Sequence, residues 1–190
     1  MASSKARMRQ RFNAKDIAFI ALFACLIAVC SWISIPTTIP FTLQTFAVFM
    51  AVLCLGGRDG TLAILIYLLL GAIGVPVFSG FTGGIGILLG STGGYIIGFL
   101  FIGILFWVCS KIAYKNIGFN ILFCAIGLII CYAFGTGWFM VVYGQTSGPI
   151  GLWAALLSCV IPFIGWDILK IALAIIISRK LRPVIAKYTA

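Results

Sequence analysis

Asp167 and Lys170 are the two residues whose types and spacing point most directly to chemistry. They stand three apart inside residues 152–177, a segment with almost no other strongly polar side chain. A segment of that length crosses a bilayer, for which about 20 apolar residues suffice. The i,i+3 spacing puts both side chains on one face of a helix. Each charge costs at least ~2.5 kcal/mol near the bilayer centre, so the pair requires a surround of protein or water. Two readings follow. The pair is an ion bridge that staples helices together, or it is a polar ligand site, the default for ionisable groups at membrane depth.

The rest of the chain must supply that surround. Of its 190 residues, 63% are hydrophobic and 8% charged. Soluble domains run near 25% charged. The composition therefore describes an all-α integral membrane protein, with residues 1–190 as one domain. Residues 1–15 form a basic N-terminal segment and 181–190 a tail. Histidine is absent, which removes the commonest general base and metal ligand. The seven cysteines (Cys25, Cys30, Cys54, Cys109, Cys124, Cys131 and Cys159) all fall in apolar segments and none forms a Cys-x-x-Cys pair. They read as small buried hydrophobes rather than disulfides or metal ligands.

Hydropathy predicts six membrane helices, at about 16–35, 41–56, 60–75, 90–112, 118–142 and 152–178. Arg58 and Asp59 mark a tight turn between the second and third. Twelve of the thirteen Lys and Arg residues lie on one side: Lys5, Arg7, Arg9, Arg11, Lys15, Arg58, Lys111, Lys115, Arg179, Lys180, Arg182 and Lys187. The connections near 36–40, 76–89 and 143–151 carry none. The positive-inside rule then puts both termini in the cytoplasm. The net charge of +10 needs no nucleic-acid partner, because anionic lipid faces those residues.

The opposite side holds further polar candidates. Gln44 and Thr45 follow the proline-fixed entry Pro36-Thr37-Thr38-Ile39-Pro40. Ser91, Thr92 and Tyr95 stand at the start of span four. Eleven of the 22 glycines fall between Gly71 and Gly103. The run from Phe78 to Gly86 reads as a flexible loop, and backbone N–H groups of Gly83, Gly84 and Gly93 are candidates for an anion-binding nest. Gly86, Gly90, Gly94 and Gly98, spaced by four, form a bare stripe if the helix starts near 86. Such stripes let helices approach closely, or a ligand touch backbone. In span one, Ala14, Ala18, Ala24 and Ala28 have the same helix-packing spacing. They suit contacts within the domain or docking to another membrane protein.

Four stretches carry a resemblance: Ser31-Trp32-Ile33-Ser34-Ile35-Pro36, Pro40-Phe41-Thr42-Leu43-Gln44-Thr45-Phe46, Leu68-Leu69-Leu70-Gly71-Ala72-Ile73-Gly74-Val75-Pro76-Val77-Phe78 and Thr92-Gly93-Gly94-Tyr95. With the Asp167-Ile168-Leu169-Lys170 element, they resemble the BioY family, biotin-binding S components of energy-coupling factor (ECF) transporters. The similarity runs from about residue 15 to 180. It implies a six-helix S-component fold in a bacterial cell membrane, and a biotin site toward the outer side. It also implies docking onto a membrane coupling protein driven by two ATPase subunits. Biotin would be transported ligand, not cofactor. Its ureido ring offers two N–H donors and one carbonyl acceptor, and its tail a carboxylate. Asp167 suits a ureido N–H; Lys170 suits the ureido carbonyl, the carboxylate, or Asp167 itself.

Rival classes are constrained by composition. An aspartyl protease needs two carboxylates sharing a proton, and Asp167 is alone at membrane depth. A Ser–His hydrolase lacks its histidine. A Ser–Lys dyad on Lys170 is the enzymatic arrangement left open. The remaining alternatives are an assembly subunit with a purely structural Asp–Lys pair, and an autonomous vitamin transporter. No Gly-x-x-x-x-Gly-Lys-Ser/Thr element occurs, so ATP-driven work falls to partner chains.

Overall fold

The computed structural model describes residues 13–35, 40–113 and 116–189. Lys5, Arg7, Arg9, Arg11, Lys115 and the stretch from Pro36 to Ile39 lie outside the described residues. The described residues are about 83% helical. Helix α1 spans Ala14–Trp32, α2 Gln44–Leu55, α3 Gly57–Ala72, α4 Ile85–Leu89, α5 Gly93–Val108, α6 Ser110–Ala113, α7 Ile117–Ser147, α8 Leu152–Cys159 and α9 Ile161–Thr189. Three of these, α1, α7 and α9, are long and apolar enough to cross a membrane; α2 and α5 are shorter apolar helices.

Local sequence sets the ends. Asn13 caps α1 in a reciprocal box, its side chain taking a helix N–H while Asp16 accepts from the Asn13 backbone at 2.9 Å. Asn116 caps α7 by accepting from Phe119 N–H. The expected final span is split at Val160, whose φ and ψ of −126° and −56° leave the helical region. Pro162 has no N–H for the carbonyl four residues back, so α8 cannot run straight into α9. Beyond that break α9 continues through Thr189, so the segment read as a tail is mostly helix.

Successive long helices run antiparallel. The start of α3 meets the end of α5, since a Cβ on Gly57 would strike the Phe106 backbone and one on Gly103 would meet Thr61. The glycine stripe does not form as one row. Gly90 is extended (φ −72°, ψ 176°) and separates α4 from α5, with Trp138 Nε1 donating to its carbonyl at 2.9 Å. Gly94 and Gly98 remain on one face and let α5 pack against Trp138 and Cys131 of α7.

Ala24 and Ala28 are buried at 2% and 6% exposure within the bundle core. The docking expectation is corrected for these two: they face their own domain and leave no surface for a partner. Ala14 and Ala18 are exposed.

Two features beyond the helices shape the end of the bundle where α1 finishes and α2 starts. A small antiparallel hairpin pairs β1, Ser34–Ile35, with β2, Phe41–Thr42, in the register Ser34–Thr42 and Ile35–Phe41. The connection after α3 is strapped to α1. Ser31 Oγ donates to the Val77 carbonyl at 2.5 Å and Trp32 Nε1 to the Pro76 carbonyl at 2.9 Å. Phe81, at φ 58°, stacks on Trp32 with centroids 4.9 Å apart. The loop expected to be flexible is therefore held at several points.

Candidate functional site

Helix α2 packs along α9, and between them the structure builds the surround that the charge pair demands. Asp167 and Lys170 are 4% and 5% exposed. Lys170 Nζ donates to Asp167 Oδ1 at 2.9 Å. The other carboxylate oxygen accepts from Tyr132 Oη on α7 at 2.5 Å. The ammonium also lies over the Phe41 ring, 4.2 Å from its centroid, a favourable cation–π placement. Phe41 is itself fixed by stacking on Phe163 (5.9 Å) and an edge contact with Trp166 (5.6 Å). Lysine has three donors, so the ion pair and the ring leave the ammonium able to bind another acceptor.

The pair opens onto a cavity of about 250 Å³. It is smaller than most small-molecule sites, which run ~300–1,000 Å³, and shares their mixture of apolar wall and a few polar groups. Phe78, Ile96, Phe99, Leu128 and Phe163 supply much of the apolar wall. Gln44, Thr45, Thr92, Tyr95, Asp167 and Lys170 all line it, so six of the residues singled out in the sequence converge from α2, α5 and α9. Tyr95 Oη is bonded to Thr136 Oγ1 at 2.9 Å.

Four others are not brought together there. Ser91, Gly83, Gly84 and Gly93 do not line this cavity. The anion nest is corrected at two of its three members. The Gly84 N–H is taken by the Gly71 carbonyl (2.7 Å) and the Gly93 N–H by the Gly90 carbonyl (3.0 Å). Gly93 instead allows close approach of the α4 backbone, where a Cβ would strike the Leu88 carbonyl.

The cavity lies at the outer end as read from the sequence. Its lining comes from the hairpin, the starts of α2, α5 and α9, the loop after α3, the end of α8 and the middle of α7. Lys15, Arg58, Lys111, Arg179, Lys180, Arg182 and Lys187 sit at the opposite ends of their helices.

The family model described as the BioY family matches residues 6–187. The chain belongs to the BioY family. Among relatives, a probable biotin transporter BioY of Pyrococcus horikoshii is 40% identical over 90% of this chain and 98% of its own length. The biotin transporter BioY of Thermotoga maritima is 38% identical over 85% of this chain and 92% of its own. In solved structures, the S component for biotin from an ECF-type ABC transporter superposes with a TM-score of 0.78 at 28% identity. That match covers 91% of this chain and 95% of the other. As a family of transporters, it accounts for a polar cavity without a catalytic set.

Sequence reasoning missed Tyr132, Thr42 and Ser79 on the cavity wall. Nothing local marks Tyr132: it is one tyrosine in an apolar helix, and its partner is 35 residues away. Phe41 stood inside a quoted motif, but only the hairpin brings its ring to the ammonium.

Removing one member of a buried pair leaves an unpaired charge, at a cost of ~3–5 kcal/mol. Asp167→Asn should therefore lower the melting temperature of the purified, ligand-free protein. Asp167→Asn combined with Lys170→Met should recover most of the loss, because the stranded ammonium is gone. Thermal unfolding in detergent is the measurement, and a double variant no more stable than the single one would count against an ion pair as the source.

Proposed function

We propose that this chain is the substrate-capturing S component of an ECF-type vitamin transporter and that its ligand is biotin. The observation that carries the reading is the Asp167–Lys170 pair, buried yet open to a small, mainly apolar cavity in a BioY-family chain. An ammonium with donor capacity to spare suits a ureido carbonyl or a carboxylate, and the apolar wall suits a thioether ring. The names of the relatives and of the superposed structure support the same ligand. Asp167, Lys170, Gln44, Thr45, Thr92 and Tyr95 form the proposed binding set.

Purified without partners, the protein should bind biotin with a Kd below about 1 μM, read by isothermal titration. In the Asp167→Asn, Lys170→Met variant, affinity should fall by about 100-fold or more, since each hydrogen bond to a charged group is worth ~1.5–3 kcal/mol. A folded wild-type chain that gives no heat at micromolar biotin would reject the proposal. A folded double variant with unchanged affinity would reduce the pair to a helix staple.

The proposed topology is six membrane-crossing helices, with α4, α6 and α8 as short accessory turns, and both termini in the cytoplasm. Its support is the segregation of Lys and Arg to one side. After replacement of the native cysteines, a cysteine at Ser3 should be reached by reagents only from the cytoplasm, and one at Ser147 only from outside. The reversed pattern would overturn the orientation and turn the cavity inward.

Uptake against a gradient is proposed to need a membrane coupling protein with two ATPase subunits, because the chain carries no phosphate-binding loop. The exposed half of the α1 stripe, Ala14 and Ala18, is the proposed contact. Close approach of membrane helices requires small side chains. Ala14→Trp with Ala18→Trp should abolish co-purification with the coupling protein and leave biotin binding unchanged. An intact complex would move the docking surface off α1.

A further inference from the structure

A second recess lies at the other end of the bundle, between α1 and α9, and shares no lining residue with the ligand cavity. Its deeper part is an apolar trench of about 410 Å³. Phe19, Leu22 and Leu26 line it from α1, and Leu181, Val184 and Tyr188 from α9. Both sets follow i, i+3, i+7, the spacing of one helix face. Leu22 and Val184 are 60% and 49% exposed. Both helices are long and apolar enough to cross a membrane, so the trench opens toward lipid rather than water. From Phe19 to Leu26 it runs about 10 Å at 1.5 Å per residue, within the roughly 15 Å that makes half of a bilayer core.

The trench runs into a pocket of about 190 Å³ that carries charge. The two share Phe19 and Ile185. Asp16, Asp59 and Arg182 line the pocket. Asp16 stands three residues before Phe19, and Arg182 three before Ile185, so charge and trench follow one another along one face of each helix. Asp59 Oδ1 is buried and accepts no hydrogen bond from a described residue. Arg58 Nε lies 3.9 Å from it, beyond hydrogen-bond reach. Asp16 Oδ2 accepts from the Asn13 N–H. The Asp59 carboxylate is thus short of donors, and a buried acceptor without one is costly.

We propose that trench and pocket together bind one phospholipid whose headgroup carries a primary ammonium, as in phosphatidylethanolamine. One acyl chain fills the trench, the ammonium meets Asp16 and Asp59, and the phosphate meets Arg182. Two carboxylates to one guanidinium select among headgroups. Phosphatidylglycerol brings a phosphate and no cation, and leaves the carboxylates unmatched. Phosphatidylcholine brings a cation with no N–H to donate. A primary ammonium has three donors, and its charge-assisted hydrogen bonds to carboxylate are among the strong ones. A zwitterionic head also supplies both signs within one small pocket, as the mixed lining requires. The site is separate from the ligand cavity and does not depend on what that cavity binds.

The test is native mass spectrometry of the full-length purified protein in detergent, with dioleoyl phosphatidylethanolamine, phosphatidylcholine and phosphatidylglycerol added in equal amounts. The wild type should retain one phosphatidylethanolamine at about tenfold or more over either competitor, the scale of one hydrogen bond to a charged group. Asp59→Asn keeps the shape and removes the charge, and should cut that preference by about threefold or more. Asp16→Asn should act in the same direction, so the outcome does not hang on one variant folding. Leu22→Trp and Val184→Trp, at exposed positions, fill the trench and should lower retention of phosphatidylethanolamine by about threefold or more. Melting temperatures show which variants are folded. Equal retention of the three lipids by the wild type means an unselective lipid coat and overturns the proposal. So does an unchanged preference in the folded aspartate variants, or unchanged retention in the folded tryptophan variants. A wild-type dimer that carries no lipid and dissociates with Val184→Trp gives the trench to a second copy of the chain, and likewise overturns it.

Discussion

A carboxylate and an ammonium held 2.9 Å apart inside an apolar helix are the constraint around which the cavity half of the bundle is arranged. Neither charge is tolerable alone at that depth. Pairing at i,i+3 removes only part of the cost, because each group keeps unfilled hydrogen-bonding capacity. The structure fills it from other elements. Tyr132 on α7 gives the carboxylate its second donor, and Phe41 in the hairpin gives the ammonium a ring face. These partners come from residues far apart in the chain, and each is itself anchored: Phe41 by Phe163 and Trp166, and the start of α2 by the hairpin. What stays unsatisfied is confined to the cavity, which is what a binding site for a polar small molecule needs.

The two ends of the molecule divide their electrostatics accordingly. The end read as cytoplasmic collects the described basic residues other than Lys170. Among the described residues the cavity end has one cation, and the other charged group lining the cavity, Asp167, is paired. Proline, glycine and aromatic residues do the shaping there. Gly90 ends α4 and lets Trp138 donate to its carbonyl, while Gly94 and Gly98 bring α5 close enough to α7 for Tyr95 to reach Thr136. Small residues on α5 thus decide where a polar residue on the same helix lies.

How far this was legible from residues alone depends on the range of each interaction. The membrane helices follow from runs of apolar residues, a local property, and the Asp–Lys pair follows from helical spacing. Gln44, Thr45, Thr92 and Tyr95 stood in motif stretches and do line the cavity. The break at Val160 was not read: hydropathy runs across it unchanged, and one span was expected over 152–178 although Pro162 stands inside it. The four-glycine stripe failed because equal spacing predicts one face only if the helix is continuous, and Gly90 is extended. The nest failed because amides that look free in sequence were taken by distant carbonyls. Tyr132, which gives Asp167 its shorter hydrogen bond, carried no signal, since its role exists only once α7 and α9 are adjacent.

Helix α1 shows how one element serves both ends. Near its C-terminus Ser31 and Trp32 hold the loop that walls the cavity with Phe78, Ser79 and Thr82. In its middle Ala24 and Ala28 let neighbouring helices close around it. Near its N-terminus Ala14 and Ala18 are exposed at the basic end. The same small-residue pattern therefore has two physical meanings within 15 residues of sequence. Burial separates them, and burial depends on which face the rest of the bundle covers. A helix that touches the loop at one end and presents a bare face at the other is a continuous mechanical element between the ligand cavity and the proposed coupling surface. Its rigidity rests on the unbroken hydrogen-bonded run from Ala14 to Trp32.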